Sequence, residues 1–154
     1  MLVGAPFWGM FSDKMGRKSG FFCAVVLTAI FGLASGFSPS LGYLLVFRCI
    51  VGFGLSGSTV AFSLFAEFLP LSSRGISLTV LQGFWSIGSI LEAALAWIII
   101  PTIGWRWLVF VSALPLIGVI FFYPILPESP RFLLEQERRD KALEVLETVA
   151  EMNR

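Results

Sequence analysis

Histidine is absent from this 154-residue chain, and cysteine occurs only twice. Without imidazole there is no Ser-His relay, and two thiols in separate segments do not make a zinc site. Asparagine occurs once, as Asn153 beside the final Arg154, so no N-x-[ST] glycosylation site exists. Charge is scarce as well, at 14% of residues with a net charge of +1, which excludes the basic surface of a nucleic-acid-binding protein. Gly52, Gly54 and Gly57 lie inside an apolar run without the Lys that follows a phosphate loop, so packing is their better explanation. No catalytic residue, metal site or cofactor is expected, and an enzyme is the least favoured class.

What is present is hydrophobic residue, 56% of the chain, with a mean hydropathy of +0.86 that lies outside the usual soluble range. Residues 20–37 and 107–126 carry no charge, while 43–69 and 76–100 contain only Arg48, Glu67 and Glu92. Each run is long enough to cross the hydrocarbon, for which roughly 20 apolar residues suffice. The expected fold is therefore all-α, a polytopic transmembrane helical bundle over residues 1–126 with four spanning helices. The opening MLVGAPFWGMF is too short to cross alone and lacks the basic flank of a secretory signal, so it is expected to be the end of a helix whose start is missing.

Basic residues are retained on the cytoplasmic side, which orients the bundle. With GMFSDKMGRK (residues 9–18) inside, the inner segments hold nine Lys and Arg, against Arg106 alone outside and Arg48 within a helix. Cys23 then lies near an inner end and Cys49 near an outer end, too distant for a disulfide, and both are expected to be buried free thiols. Residues 127–154 are expected to form a cytoplasmic amphipathic helix, with Ser129 as N-cap, Pro130 in the first turn, pairs Glu135–Arg139 and Glu137–Lys141, and Leu143, Leu146 and Ala150 on the other face.

Polar side chains within a span are costly unless they face protein or water. At about 100° per residue, Gly52, Ser56, Thr59, Ser63 and Glu67 share a stripe with Arg48. In the next span Gln82, Trp85, Ser86, Ser89 and Glu92 gather on one face, suited to a polar cavity, and Phe84, Ile87, Leu91 and Leu95 on the other, suited to lipid. Arg48 is expected about 8 Å and Glu92 about 12 Å below the outer surface, within reach of one another. Glu92 is either a counter-charge to Arg48 or Arg106, or a group that meets substrate or a coupling proton.

Gly9, Asp13, Lys14, Gly16, Arg17 and Lys18 follow the pattern G-x-x-x-D-[RK]-x-G-[RK]-[RK], which resembles the loop between the second and third helices of the major facilitator superfamily. Arg48, Gly52 and Gly54 resemble that family's fourth-helix R-x-x-x-G-x-G, and Glu67, Pro70, Arg74 and Gly75 its E-x-x-P-x-x-x-R-G. GWRW and PESPR resemble elements of the sugar-porter branch and its synaptic-vesicle-related and organic-ion relatives, flanking the sixth helix. The resemblance implies the end of helix two through helix six of a twelve-helix transporter whose two halves rock about a central site.

It further implies that Asp13 closes an inner gate by meeting a helix start in the other half, where a carboxylate contributes about 0.3–1 kcal/mol. Arg17 would join a charge network with Glu67, and Glu128 and Arg131 would enter it from the extension of the sixth helix, with Arg74 nearby. Gln82, Trp85, Ser89 and Glu92, with Arg48, would face the pathway. Two departures narrow the reading. The fifth helix lacks the G-x-x-x-G-P of drug antiporters, since Gly83 and Gly88 are five apart. An acid at Glu92 is also unlike a plain sugar uniporter, which favours an organic ion or small charged metabolite, with proton coupling left open. The expected partners are a small organic solute, the lipid bilayer, and a carboxyl half or full-length relative. The rival reading is a truncated, non-transporting membrane subunit that binds such a relative.

Overall fold

The computed structural model describes residues 2–70, 73–123, 127–136 and 139–152, with the side chains of residues 135, 141, 144 and 149–152 outside it. The expected pairs Glu135–Arg139 and Glu137–Lys141, and the placement of Ala150, therefore lie outside the described residues. The described elements are α1 (Gly4–Met15), α2 (Arg17–Gly36), α3 (Leu41–Leu55), α4 (Ser58–Phe68), α5 (Arg74–Thr102), α6 (Trp105–Phe122), α7 (Pro130–Glu135) and α8 (Arg139–Met152), with no strand among them. Four segments are long and apolar enough to span a bilayer: Arg17–Gly36, Leu41–Phe68, Arg74–Thr102 and Trp105–Phe122. Even the shortest, at 18 residues, rises about 27 Å, close to the hydrocarbon thickness.

Helix α2 is the centre of the bundle and packs against α1, α3, α4 and α6. Small residues make this possible. A Cβ on Gly54 would collide with Thr28 Oγ1, and one on Gly57 with the Ala24 methyl group, so α2 and the α3–α4 segment approach to backbone distance there. Gly20 is similarly closed off by Ser12 and Gly36 by the Phe110 ring, each with an atom 2.8 Å from where a Cβ would sit. Gly52, by contrast, faces open space. The glycines of this run thus divide between two packed positions and one unpacked one.

The segment from Leu41 to Phe68 is one span but two helices, interrupted at Ser56 and Gly57. The cause lies at the Phe53 carbonyl. Trp8 donates its indole N–H to that oxygen at 2.9 Å, and the Ser56 hydroxyl donates to it as well, at 2.5 Å. Gly57 N–H turns instead to Gly54 O at 2.9 Å, Thr59 N–H to Ser56 O at 3.4 Å and Val60 N–H to Gly57 O at 3.0 Å, a locally tightened ladder. Side-chain donors competing for a helix carbonyl are a recognised source of such breaks. Trp8, Ala24 and Val60 form the buried cluster beside the break, with Phe11, Phe21 and Phe53 packed on it. The break also divides the polar stripe expected from Arg48 to Glu67: Ser56 is buried where its side chain fills the space beside Gly4 of α1, whereas Thr59 and Ser63 are exposed.

At the other end of the bundle, Arg106 ties α6 to the α2–α3 turn. Its guanidinium donates to Ser38 O at 3.3 Å and lies 5.5 Å from the Trp105 ring centroid. Helix α5 packs mainly on α6, touches α4, and buries no residue within this chain. The division of α5 into a lipid face and a cavity face is therefore not drawn by burial. Cys23 and Cys49 are free, as expected, but both are exposed rather than buried. The reason is general to the bundle: its outward positions contact hydrocarbon, where an apolar thiol needs no protein cover.

The close approach at Gly57 generates a direct test. Gly57→Val is expected to lower stability by about 1–3 kcal/mol through overpacking, measured by unfolding in mixed detergent micelles. Gly52→Ala, with open space before it, is expected to unfold like the parent.

Candidate functional site

The charged residues at the ends of α1, α2, α4 and α7 converge on two carboxylates. Arg17, the first residue of α2, reaches Glu67 near the end of α4, Nη1 to Oε1 at 3.2 Å. Its other terminal nitrogen lies 3.8 Å from Asp13 on the last turn of α1. The two contacts are unequal. Asp13 is 67% exposed, which leaves its pair in the weak class of solvent-facing ion pairs, whereas Arg17 and Glu67 are only 22% and 18% exposed. Glu67 also accepts a hydrogen bond from the Ser129 hydroxyl through Oε2, so both carboxylate oxygens are engaged.

Ser129 holds the start of α7 in turn. It is fully buried, and its side chain accepts the Phe132 N–H at 3.3 Å, with Pro130 at the first helical position. The neighbouring Glu128 serves α2. Its Oε1 accepts the Lys18 N–H at 2.9 Å and the Ser129 N–H at 3.1 Å. Helix α2 has no capping side chain of its own, because its N-cap is Gly16. A carboxylate 110 residues away in sequence supplies the cap instead, at the end of the helix where negative charge is favoured. Gly16 makes room for it. With φ at +99°, it adopts a conformation that side chains disfavour, and a Cβ there would lie 2.7 Å from Glu128 Oε2.

The remaining motif residues are placed differently. Lys14 is exposed on the last turn of α1 and enters no ion pair among the described residues, although its charge suits a helix C-terminus. Lys18 sends its ammonium 4.7 Å from the Tyr123 ring centroid. Arg131 borders a polar hollow with Asp13, Arg17 and Phe132. Gly9 has nothing within 4 Å of a Cβ position. Arg74 differs from its expected place in the network: its Nε is buried without a hydrogen-bond partner and it forms no ion pair among the described residues. It begins α5, which packs mainly on α6 and touches α4, the helix that carries Glu67.

A second polar site lies deeper within the spans. Arg48 of α3 and Glu92 of α5 border one hollow with Thr28, Gly32 and Ser112. They share it without forming an ion pair among the described residues. Glu92 instead accepts the Ser112 hydroxyl of α6 at 2.6 Å, and Arg106, the other counter-charge expected for it, is held at Ser38. Gln82 borders a separate recess with Phe62, Ser63, Ala66, Leu78 and Thr79. Trp85 and Ser89 are exposed on α5, with Ser89 donating to Trp85 O at 3.0 Å.

A family model described as "Sugar (and other) transporter" matches residues 1–153. The chain belongs to this transporter family. It is 46% identical over its whole length to "Organic cation/carnitine transporter 7" of Arabidopsis thaliana, covering 31% of that protein. It is 39% identical, over 99% of its length, to "Synaptic vesicle 2-related protein" of Xenopus laevis, covering 28% of it. The chain thus spans about a third of the length of these relatives. Among solved structures, the xylose transporter XylE of E. coli in a partially occluded inward-open conformation superposes with a TM-score of 0.86 at 23% identity, covering 96% of this chain and 40% of that one. That likeness establishes the fold, an all-helical part of the major facilitator architecture. As a member of this transporter family with four apolar spans, the protein is an integral, multi-pass membrane protein.

Sequence reasoning about this transporter family missed Ser112 and Tyr123, the partners of Glu92 and Lys18, and saw Ser129 only as an N-cap. Ser112 carries a faint signal, a hydroxyl in an otherwise apolar run; Tyr123 carries none that spacing reveals. The Gly16 seat yields the test for this site. Gly16→Ala is expected to cost about 1–3 kcal/mol of stability from strain at a positive φ. It is also expected to speed amide hydrogen exchange at Lys18 and Phe132, while Gly9→Ala leaves both amides protected.

Proposed function

We propose that this chain forms part of one helical half of a carrier that moves a small organic solute across a membrane by alternating access, and that it is not an enzyme. The observation that carries the reading is the hollow shared by Arg48 and Glu92. Two ionisable groups within apolar spans cost several kcal/mol in hydrocarbon unless they face water, protein or a ligand. Here they border one mainly apolar hollow without forming an ion pair with each other among the described residues. Arg48, Gln82, Trp85, Ser89 and Glu92 are assigned to the solute and proton pathway. Its chemistry suits an organic ion or another polar metabolite better than a purely apolar compound.

The cluster at the other site is the inner gate, comprising Gly9, Asp13, Lys14, Gly16, Arg17, Lys18, Glu67, Glu128 and Arg131, with Arg74 flanking it. Contacts such as Arg17–Asp13 are individually weak, so a rocking equilibrium can break and remake them in each cycle. The excess of basic residues supports a cytoplasmic position for this end and for residues 127–154. Asp13 is the most exposed acid of the cluster and the one free to meet an opposing half, supplied by the same polypeptide or by a full-length relative.

Uptake into proteoliposomes tests the reading, using labelled organic cations, zwitterions such as carnitine, and sugars. The chain alone is expected to give no uptake, and the chain co-reconstituted with the opposing half is expected to transport. Glu92→Gln is expected to reduce that uptake by about tenfold or more and to abolish accumulation driven by a proton gradient. Full uptake by both Glu92→Gln and Arg48→Gln overturns the pathway assignment. Co-purification with a full-length relative without uptake by any combination supports the rival reading of a non-transporting subunit.

A further inference from the structure

Between α2 and α6, at the same end of the bundle as the charged cluster, lies a groove that neither proposed site uses. Phe21, Phe22 and Val25 form one wall, and Val119, Phe122 and Tyr123 the other. The space is shallow and almost wholly apolar, a surface trough and not an enclosed ligand cleft. The rings of Phe22 and Tyr123 lie 4.0 Å apart, centroid to centroid, and form a continuous aromatic floor. Phe122 is 67% and Val119 39% exposed, so the groove opens outward from the bundle.

One charge stands at its mouth. Lys18 places its ammonium 4.7 Å from the Tyr123 centroid, and no carboxylate pairs with that ammonium among the described residues. The nearby Glu128 forms no ion pair with it and directs its Oε1 to the Lys18 and Ser129 amides. Arg17, the adjacent base, is paired instead with Asp13 and Glu67. The groove therefore offers an apolar trough ending in a cation without an ion-pair partner among the described residues, where helix α2 begins.

We infer that this groove is a binding site for an anionic membrane phospholipid, with an acyl chain between α2 and α6 and the headgroup phosphate against the Lys18 ammonium. Charge complementarity selects this occupant. A hydrophobic helix from another protein would fill the trough but bring nothing for the cation, and a soluble anion would meet the cation but leave the trough empty. A lipid with a net negative headgroup satisfies both parts, and a basic side chain at a membrane surface attracts such lipids appreciably. The site shares Lys18 with the proposed gate and lies further along the α2–α6 seam than the Arg48–Glu92 hollow, but its occupancy needs no solute and is tested without transport.

Native mass spectrometry of the purified chain in detergent tests this, titrating phosphatidylglycerol against phosphatidylcholine of identical acyl chains. Wild type is expected to retain phosphatidylglycerol with a preference of about fivefold. Lys18→Gln is expected to bring that ratio close to one while both lipids still bind, and Val119→Trp, which fills the trough, to reduce retention of both. Lys14→Gln, which removes a base of the same turn that does not reach the groove, is expected to keep the wild-type ratio. Equal losses in Lys14→Gln and Lys18→Gln would show mere surface charge and overturn the site. So would an unchanged ratio in Lys18→Gln, provided that both lipids still bind.

Discussion

A single carboxylate, Glu67, joins the helix ends where α2, α4 and α7 meet. One of its oxygens takes the guanidinium of Arg17 and the other the hydroxyl of Ser129. Through Arg17 it fixes the start of α2, and through Ser129 it fixes the start of α7, so three elements distant in sequence meet at one acid. Glu128 can cap α2 only because Ser129, its neighbour in the chain, is anchored in this way. The arrangement suits a partly buried acid, for which leaving any lone pair unsatisfied is costly. It also explains why α7 begins where it does: its N-cap serves the helix and the ion pair with the same hydroxyl.

The two polar sites differ in how their charges are satisfied, and the difference has a physical meaning. Where α1, α2, α4 and α7 meet, Glu67 and Glu128 are engaged by named donors, while Asp13 stays largely exposed. In the deeper hollow Glu92 has one hydroxyl partner and Arg48 has no carboxylate partner among the described residues. The contacts of Glu67 and Glu128 keep the helix ends in register. Incomplete satisfaction within the hollow leaves interaction energy for something else to take up. Helix α5 shows the same incompleteness on a larger scale, with 29 residues and none buried.

Much of the architecture was legible because the relevant signals are local. An uncharged run of sufficient length becomes a span, and the observed helices extend a few residues past such runs, as at Arg17 and Arg74, where long basic side chains can reach the interface. Ser129 with Pro130 announced a helix start in the same local way. The family motifs likewise sit in short runs, and it was the resemblance, not spacing, that grouped Asp13 and Arg17 with the distant Glu67. What was illegible depends on distant contacts. The break at Ser56 and Gly57 arises from an indole 45 residues earlier that takes the Phe53 carbonyl, and periodicity along one helix has no access to that. The same holds for Arg74, whose residue type fits a charge network while its place at the head of α5 keeps it out of one. The exposure of Cys23 and Cys49 was misjudged by applying the habits of a water-soluble core to a bundle whose outside is oil.

The cap that Glu128 places on α2 is made to a main-chain amide, not to a side chain. Every amino acid except proline offers the same N–H. Position 18 can therefore drift through almost the entire alphabet of residues without loosening that fastening, while position 16, whose missing side chain is the space the carboxylate occupies, has almost no latitude at all. Tolerance and intolerance to change sit two residues apart, set by which atoms of each residue the distant acid touches.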